Sequence, residues 1–213
     1  MDKLIQVYEL FDQIDPRPTF ENIKVHRNPY KSLVSVLLSS QTRDEQTAKA
    51  TKALFELALN PQQMLKLSDN KIREAIKPVS FYNRKTEYIK KMSQELLDWY
   101  DGEVPQTRTE LMKLTGIGRK SADIMLRFSF GQPAIAVDTH VHRVVNRLGL
   151  AKTNNADQTA VFLEENTPEE YKWKAHEWLI QHGKYTCKAV GKPLCGSCPF
   201  QSMCDFYKGS QND

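Results

Sequence analysis

The residues best suited to chemistry lie in a few short segments. The first is Leu114-Thr115-Gly116-Ile117-Gly118-Arg119-Lys120. Two glycines one residue apart permit a tight turn whose backbone no side chain shields. A helix that starts directly afterwards points its first N–H groups outward, where they favour an anion such as a phosphodiester. Arg119 and Lys120 add positive charge beside that cradle, while a plain corner between two helices is the alternative use of the same residues. Lys120 also has two readings. The helix macrodipole and Arg119 disfavour an ammonium there, which supplies a neutral amine able to attack a sugar carbon and form a Schiff base. Otherwise it is a phosphate-contacting lysine.

A second segment, Ile135-Ala136-Val137-Asp138-Thr139-His140, places a carboxylate between an apolar stretch and a helix-like run from Val141 to Leu148. Asp138 is either the N-cap of that helix or a half-buried carboxylate aimed into a cleft. His140 and His142 have no further ligand set nearby and read as polar contacts or packing rather than metal ligands. The third segment holds all four cysteines, Cys187, Cys195, Cys198 and Cys204, spaced C-x7-C-x2-C-x5-C. Without export signals, such clustering points to one bound metal centre rather than disulfides. Only one C-x-x-C is present, whereas structural zinc sites commonly use two such knuckles, and four thiolates can equally hold an iron–sulfur cluster. Unligated core thiols are the remaining option.

Two further spots carry less on their own. Gln41, after Ser39 and Ser40, stands at a helix end, where a glutamine can replace the hydrogen bonds of a lost base. Phe81, within Ser80-Phe81-Tyr82-Asn83, could wedge between bases if exposed. Taken alone, both read as ordinary helix-end and core residues.

The elements that must position these residues read as helices, and no convincing alternating strand appears. Tyr88, Ile89, Met92, Leu96 and Trp99 recur at helical spacing between 84 and 100, as do Ala50, Leu54, Leu57 and Ala58 between 43 and 59. These stripes read as core. Thr42 with Glu45, Thr107 with Glu110, and Thr167 with Glu170 match capping boxes, the last with Pro168 at the first helical position. Gly131-Gln132-Pro133 is the expected crossing between two lobes.

Composition is that of an ordinary globular chain: 213 residues, 40% hydrophobic, 26% charged, net charge +4. That argues against disorder, collagen-like repeats and a disulfide scaffold. No apolar run approaches a membrane span and the start lacks a secretory signal, so a cytosolic or nuclear protein is expected. The charge is uneven, with eight basic and three acidic residues over 108–152 but two basic and six acidic over 153–182. Basic segments of this kind attract a polyanion, although a solvated helix surface would look the same.

In order, these segments resemble the endonuclease III family of helix-hairpin-helix DNA glycosylases. The resemblance rests on Leu114–Lys120, Ala136–Val141, the four-cysteine tail, Leu37–Thr42, Tyr82-Asn83, Gly102–Pro105 and His182–Cys187, and it runs from about residue 20 to 206. It implies an all-α, two-lobed fold: residues 22–132 in one lobe with the hairpin, and 1–21 plus 133–213 in the other with a [4Fe–4S] cluster. DNA would lie across the cleft.

The resemblance further implies that Lys120 is the nucleophile and Asp138 its electrostatic or proton-accepting aid. Gly116, Gly118 and Arg119 would meet a phosphate, with a monovalent cation as a further ligand of the hairpin. Gln41 would fill the gap left by a flipped nucleotide, Phe81 would insert nearby, and His140, Lys188 and Lys192 would contact DNA. Cys187, Cys195, Cys198 and Cys204 would ligate the cluster. The implied activity is removal of oxidised pyrimidines from damaged double-stranded DNA, followed by β-elimination at the abasic site, by a monomeric enzyme that is nucleoid-associated in a prokaryote. Uracil or thymine in mismatches is the alternative substrate, and a non-catalytic iron–sulfur DNA-binding module the alternative class.

Four departures from the family pattern stand out. The first two cysteines have seven residues between them where six are usual. Thr115 replaces a proline, which is expected to loosen the hairpin. Ser80 and Phe81 replace a glycine and an aliphatic wedge.

Overall fold

The computed structural model describes residues 2–15 and 28–210. Its described residues form α-helices and short 3-10 turns, with no strand. The chain divides into two compact units, Met1–Ile23 with Pro133–Asp213, and Lys24–Gln132. The boundary expected at residues 21 and 22 lies outside the described residues.

The Lys24–Gln132 unit contains α2 (Pro29–Ser39), α3 (Asp44–Leu57), α4 (Pro61–Lys66), α5 (Asp69–Ile76), α6 (Tyr82–Tyr100), α7 (Arg108–Leu111) and α8 (Arg119–Phe130). Starts are set by local chemistry. Asn28, Asn60 and Ser68 each accept a backbone N–H as N-caps, the first two followed by proline at the helix start. Leu33, Leu37, Leu54, Met64, Ile72, Ile89, Met92, Leu96 and Met125 are fully or almost fully buried among these helices. At about 25 cal/mol per Å² of apolar area removed from water, such side chains supply most of the drive to fold.

The other unit combines α1 (Lys3–Ile14) with α9 (Thr139–Leu148), α10 (Ala156–Asn166), α11 (Glu169–Tyr185) and α12 (Asp205–Gly209). An aromatic group joins α1, α11 and the turn at Phe200. Phe11 stacks on Trp178 at 5.6 Å and meets Phe200 at 4.5 Å. The Trp178 indole N–H donates to the carbonyl of Asp15 at 2.8 Å, which satisfies its one polar atom in an otherwise apolar setting.

Several sequence expectations need correction. Thr42 does not cap α3: its helix begins at Asp44 after Arg43, with no side-chain cap. The Thr42 hydroxyl instead serves as acceptor for Ser80 and Lys85. Thr167 does not cap α11 either, because Pro168 occupies the N-cap and the Thr167 hydroxyl bonds to that of Tyr8. In both places a tertiary partner outcompetes the local backbone. Thr107 does cap α7. Leu57 and Trp99, assigned to core stripes, sit in the last turns of α3 and α6 at 48% and 54% exposure. A helix end outruns the surface that buries its middle.

Candidate active site

Short α7 and longer α8 enclose the glycine turn. The peptide N–H of Ile117 closes it on the carbonyl of Leu114, and Leu114 and Ile117 anchor it in the core. The two glycines have different physical reasons. Gly116 adopts φ +84°, and a Cβ there would lie 2.9 Å from a Tyr88 ring carbon and 3.1 Å from Leu37. Only glycine fits without strain. Gly118 has φ −94° and caps α8 without a side chain, and a Cβ there would meet nothing within 4 Å. Neither conformation nor packing within the protein requires glycine at 118. What it leaves open is the approach to the first N–H groups of α8, which no side chain caps.

These differences make a paired prediction. Gly116→Ala should destabilise the fold by about 1–3 kcal/mol, the usual size of such backbone strain. That is several degrees of thermal midpoint for a chain this size. Gly118→Ala should leave the midpoint unchanged while weakening DNA binding in a titration. Equal thermal losses in both variants would contradict the assignment.

Thr115 does not loosen the hairpin. Its N–H and its hydroxyl both donate to the Glu95 carboxylate on α6, at 2.7 and 2.6 Å. Glu95 is 8% exposed, so these bonds stabilise a carboxylate that burial alone would penalise. The threonine hydroxyl and the N–H that a proline would lack therefore tie the turn to α6.

Lys120, the second residue of α8, is exposed. Arg119 is more inward, with its side chain 18% exposed and Nε 3.8 Å from Asp123. Asp123 is itself buried and also receives a 2.6 Å bond from Arg108 on α7. Arg108 thus joins α7 to α8, while the Arg119 guanidinium expected at a phosphate faces the same carboxylate from within α8.

On the same unit, Leu37, Ser40, Gln41, Phe81, Arg84, Lys85, Tyr88 and Gly116 line a cavity of about 180 Å³. The structure thereby brings Gln41 and Phe81 together beside the hairpin. Both are exposed, and both have left-handed backbone, at φ 52° and 57°. For non-glycine residues this costs about 1–3 kcal/mol each and persists only where surroundings impose it. Phe81 is not core: 62% of it faces solvent. An aromatic displayed at the tip of a strained turn can enter a base stack.

Between these turns lies Lys85, 5% exposed. Its ammonium donates to the carbonyls of Leu38 and Ser40, both at 2.7 Å, and to the Thr42 hydroxyl at 3.0 Å. Burial pulls its pKa below the usual lysine value.

The other unit positions Asp138. Gly131 ends α8 in the left-handed region, Ala134–Val137 run buried, and Asp138 then caps α9. Its Oδ1 accepts the N–H groups of His140 and Val141 at 2.8 and 2.9 Å. Asp138 is thus the N-cap of α9 and is half-buried. Its Oδ2 takes part in neither cap bond.

His140 packs by its Cβ and backbone against Gly183, where a Cβ would come within 2.8 Å. Its Nδ1 lies 3.1 Å from an Arg143 guanidinium nitrogen. Arginine only donates, so Nδ1 accepts and the neutral ring carries its proton on Nε2. His142 instead bonds to Thr159 at 2.6 Å, a packing role as expected.

None of the four cysteines forms a disulfide. Cys195 titrates above the usual thiol range, first through burial and then through Cys204 and Cys187. Burial likewise raises Cys198, with Cys204, Cys187 and Cys195 adding to it. Among the described residues no group of three or more His, Cys, Asp or Glu side chains suits a metal ion as placed. Four mutually repelling soft donors nevertheless fit a cationic iron–sulfur core, which offsets their charge. Arg147 adds a guanidinium 3.6 Å from the Cys187 sulfur. In the loop between the first two cysteines Lys192 is exposed and Lys188 half-buried.

Sequence reasoning missed Lys85, Glu95, Asp123, Arg143 and Arg147. Arg143 ties α9 to the cysteine loop through the carbonyls of Cys187 and Gly183, at 2.9 and 2.8 Å. The bonds from Lys85 to residues 38–42, from Thr115 to Glu95 and from Arg143 and Arg147 to residues 183–188 had no local signal, because their partners lie 20 or more residues away.

Residues 34–169 match the HhH-GPD superfamily base excision DNA repair protein model. Endonuclease III of Escherichia coli strain K12 is 40% identical over 205 residues, covering 96% of this chain and 95% of that protein. The solved structure of a non-covalent endonuclease III–DNA complex superposes with a TM-score of 0.87 at 36% identity, over 100% of this chain and 99% of the other. A trapped endonuclease III–DNA covalent intermediate also gives 0.87 at 36% identity, over 99% of each chain. A helical fold, a glycine hairpin opening onto an exposed lysine, a capping aspartate and a four-cysteine tail thus occur together in a chain that belongs to the endonuclease III family of base excision DNA repair proteins.

Proposed function

We propose that this bifunctional DNA glycosylase and abasic-site lyase acts through Lys120 and Asp138 on oxidised pyrimidines. The observation that carries the reading is the exposed Lys120, two residues beyond a glycine cap that keeps α8's first N–H groups open. A phosphate held on those groups sets the sugar near the amine, and positioning of this kind lowers a barrier by several kcal/mol.

The steps follow from the groups. Lys120 Nζ attacks C1′ of the damaged nucleotide, the N-glycosidic bond breaks and the base leaves with the bonding pair. The nitrogen gives one proton to the departing base or to Asp138; the C1′–O4′ bond then breaks, O4′ takes up a proton, and a protonated Schiff base between Nζ and C1′ remains. Loss of a proton from C2′ then expels the 3′ phosphate, which is β-elimination. The Asp138 carboxylate supplies negative charge to the sugar cation that develops as the base departs, or accepts the amine's proton. Gln41 takes the place of the extruded nucleotide and Phe81 enters the stack beside it. Gly116 shapes the phosphate cradle, with a monovalent cation on the hairpin carbonyls as a further ligand. His140 Nε2–H, Lys188 and Lys192 donate to the DNA backbone.

Cys187, Cys195, Cys198 and Cys204 would hold a [4Fe–4S] cluster in this reading, which would fix the loop that carries Lys188 and Lys192. Purified protein should absorb visibly near ~400 nm through sulfur-to-iron charge transfer. A colourless protein with stoichiometric zinc would overturn the iron assignment.

Substrate class is tested by incubating the protein with duplexes carrying thymine glycol, a uracil mismatch or an abasic site, then reducing with borohydride. A covalent band and strand scission on thymine glycol are expected. A band on the abasic duplex alone would replace the substrate, and binding without any band would replace the catalytic reading with a DNA-binding one.

A further inference from the structure

We propose that Lys85 is a positioning residue that locks the turns of Gln41 and Phe81 into one rigid probe for the DNA duplex. The inference rests on the reading in which those two side chains enter the duplex.

The argument starts at the end of α2. The last carbonyls of a helix have no intrahelical partner and carry the negative end of its dipole. Here two carbonyls at that end, Leu38 and Ser40, receive an ammonium delivered from the first turn of α6, 47 and 45 residues away. The third ammonium proton goes to the Thr42 hydroxyl. A lysine has three donors, and all three are used. The chain between these acceptors is Ser40-Gln41-Thr42, and its middle residue is the one at φ 52°. With acceptors fixed on both sides, Gln41 has little freedom to leave the left-handed region.

The same hydroxyl joins the second turn. Thr42 Oγ1 accepts the backbone N–H of Ser80 at 3.1 Å, immediately before Phe81 at φ 57°. Phe81's carbonyl in turn accepts the N–H of Lys85. The contacts form a closed circuit from Lys85 to Thr42, Ser80, Phe81 and back to Lys85. Both turns present exposed side chains, and Lys85 is buried beneath them. A side chain of this kind acts on the duplex through others.

A merely structural lysine and a positioning lysine differ in what survives its removal. Lys85→Met keeps the length and apolar stem and deletes the ammonium. Turnover on a thymine glycol duplex is expected to fall about 10- to 100-fold, the scale of a displacement near one ångström. Cleavage of a single-stranded abasic oligonucleotide has no opposite base and no gap to fill, and should stay within about twofold of wild type. A 2-aminopurine opposite an abasic analogue should lose most of the fluorescence rise that wild-type binding causes. Gln41→Ala added to Lys85→Met should cost little more, because both remove the same function.

Thr42→Val breaks the bridge to Ser80 while leaving Lys85 on its two carbonyls. It should show the same split between substrates in weaker form, and it decides the matter if Lys85→Met does not fold. Duplex turnover within twofold of wild type, or parallel loss on both substrates, would overturn the role of Lys85. Wild-type protein that forms no covalent band on either the thymine glycol duplex or the single-stranded abasic substrate would instead overturn the Lys120 reading, and this inference with it.

Discussion

Lys120→Gln is expected to abolish the covalent protein–DNA band under borohydride and to reduce strand scission about 10³-fold or more, as removal of a nucleophile does. Glutamine keeps similar length and polarity but has no amine to form the Schiff base. Lys120 is exposed, so the fold should lose no more than about 0.5 kcal/mol. DNA affinity should fall only by the share of one phosphate-range charge, readable as a slightly shallower salt dependence. A band of wild-type intensity from the variant would place the chemistry on another amine.

Asp138→Asn separates the helix cap from the proposed electrostatic role of the same side chain. Asn caps helices about as well as Asp, so the bonds from His140 and Val141 should persist and the thermal midpoint should move by less than about 1 kcal/mol equivalent. Removing the negative charge should nevertheless lower base-excision turnover about 10²- to 10³-fold, the scale of losing one group aimed at developing charge. Asp138→Ala removes cap and charge together and should cost about 1 kcal/mol more stability than the asparagine variant. Stability measured by denaturation and turnover measured on the same preparations resolve the pair. Turnover unchanged in Asp138→Asn would reduce Asp138 to a cap.

The hairpin shows how one motif divides its labour. Gly116 is glycine because Tyr88 and Leu37 crowd it at positive φ, and Gly118 is glycine with open space around it. Thr115, a departure from the family pattern, is held by Glu95 on α6. Arg119, adjacent to Lys120, pairs with the buried Asp123. Side chains that look like one basic patch in sequence thus split into a structural half and an exposed half.

What the sequence by itself determined is whatever acts within a few residues. Gly116, Gly118 and Lys120 are legible together because the turn and helix start that place them span seven positions. Asp138 is legible as a cap because its partners are His140 and Val141. The cysteines are legible because their spacing is their chemistry. The local reading fails where a distant partner wins: Thr42 and Thr167 gave up capping for contacts with Lys85 and Tyr8, 43 and 159 residues away. Only the tertiary structure could decide that Phe81 is displayed rather than buried, since its left-handed turn lies over a network joining residues 38–42 to 80–85. Thr115 and Glu95 are 20 residues apart, and Arg143 and Cys187 are 44. Hydrogen bonds act over about 3 Å, so a pair far apart in sequence has no local pattern until packing brings it together.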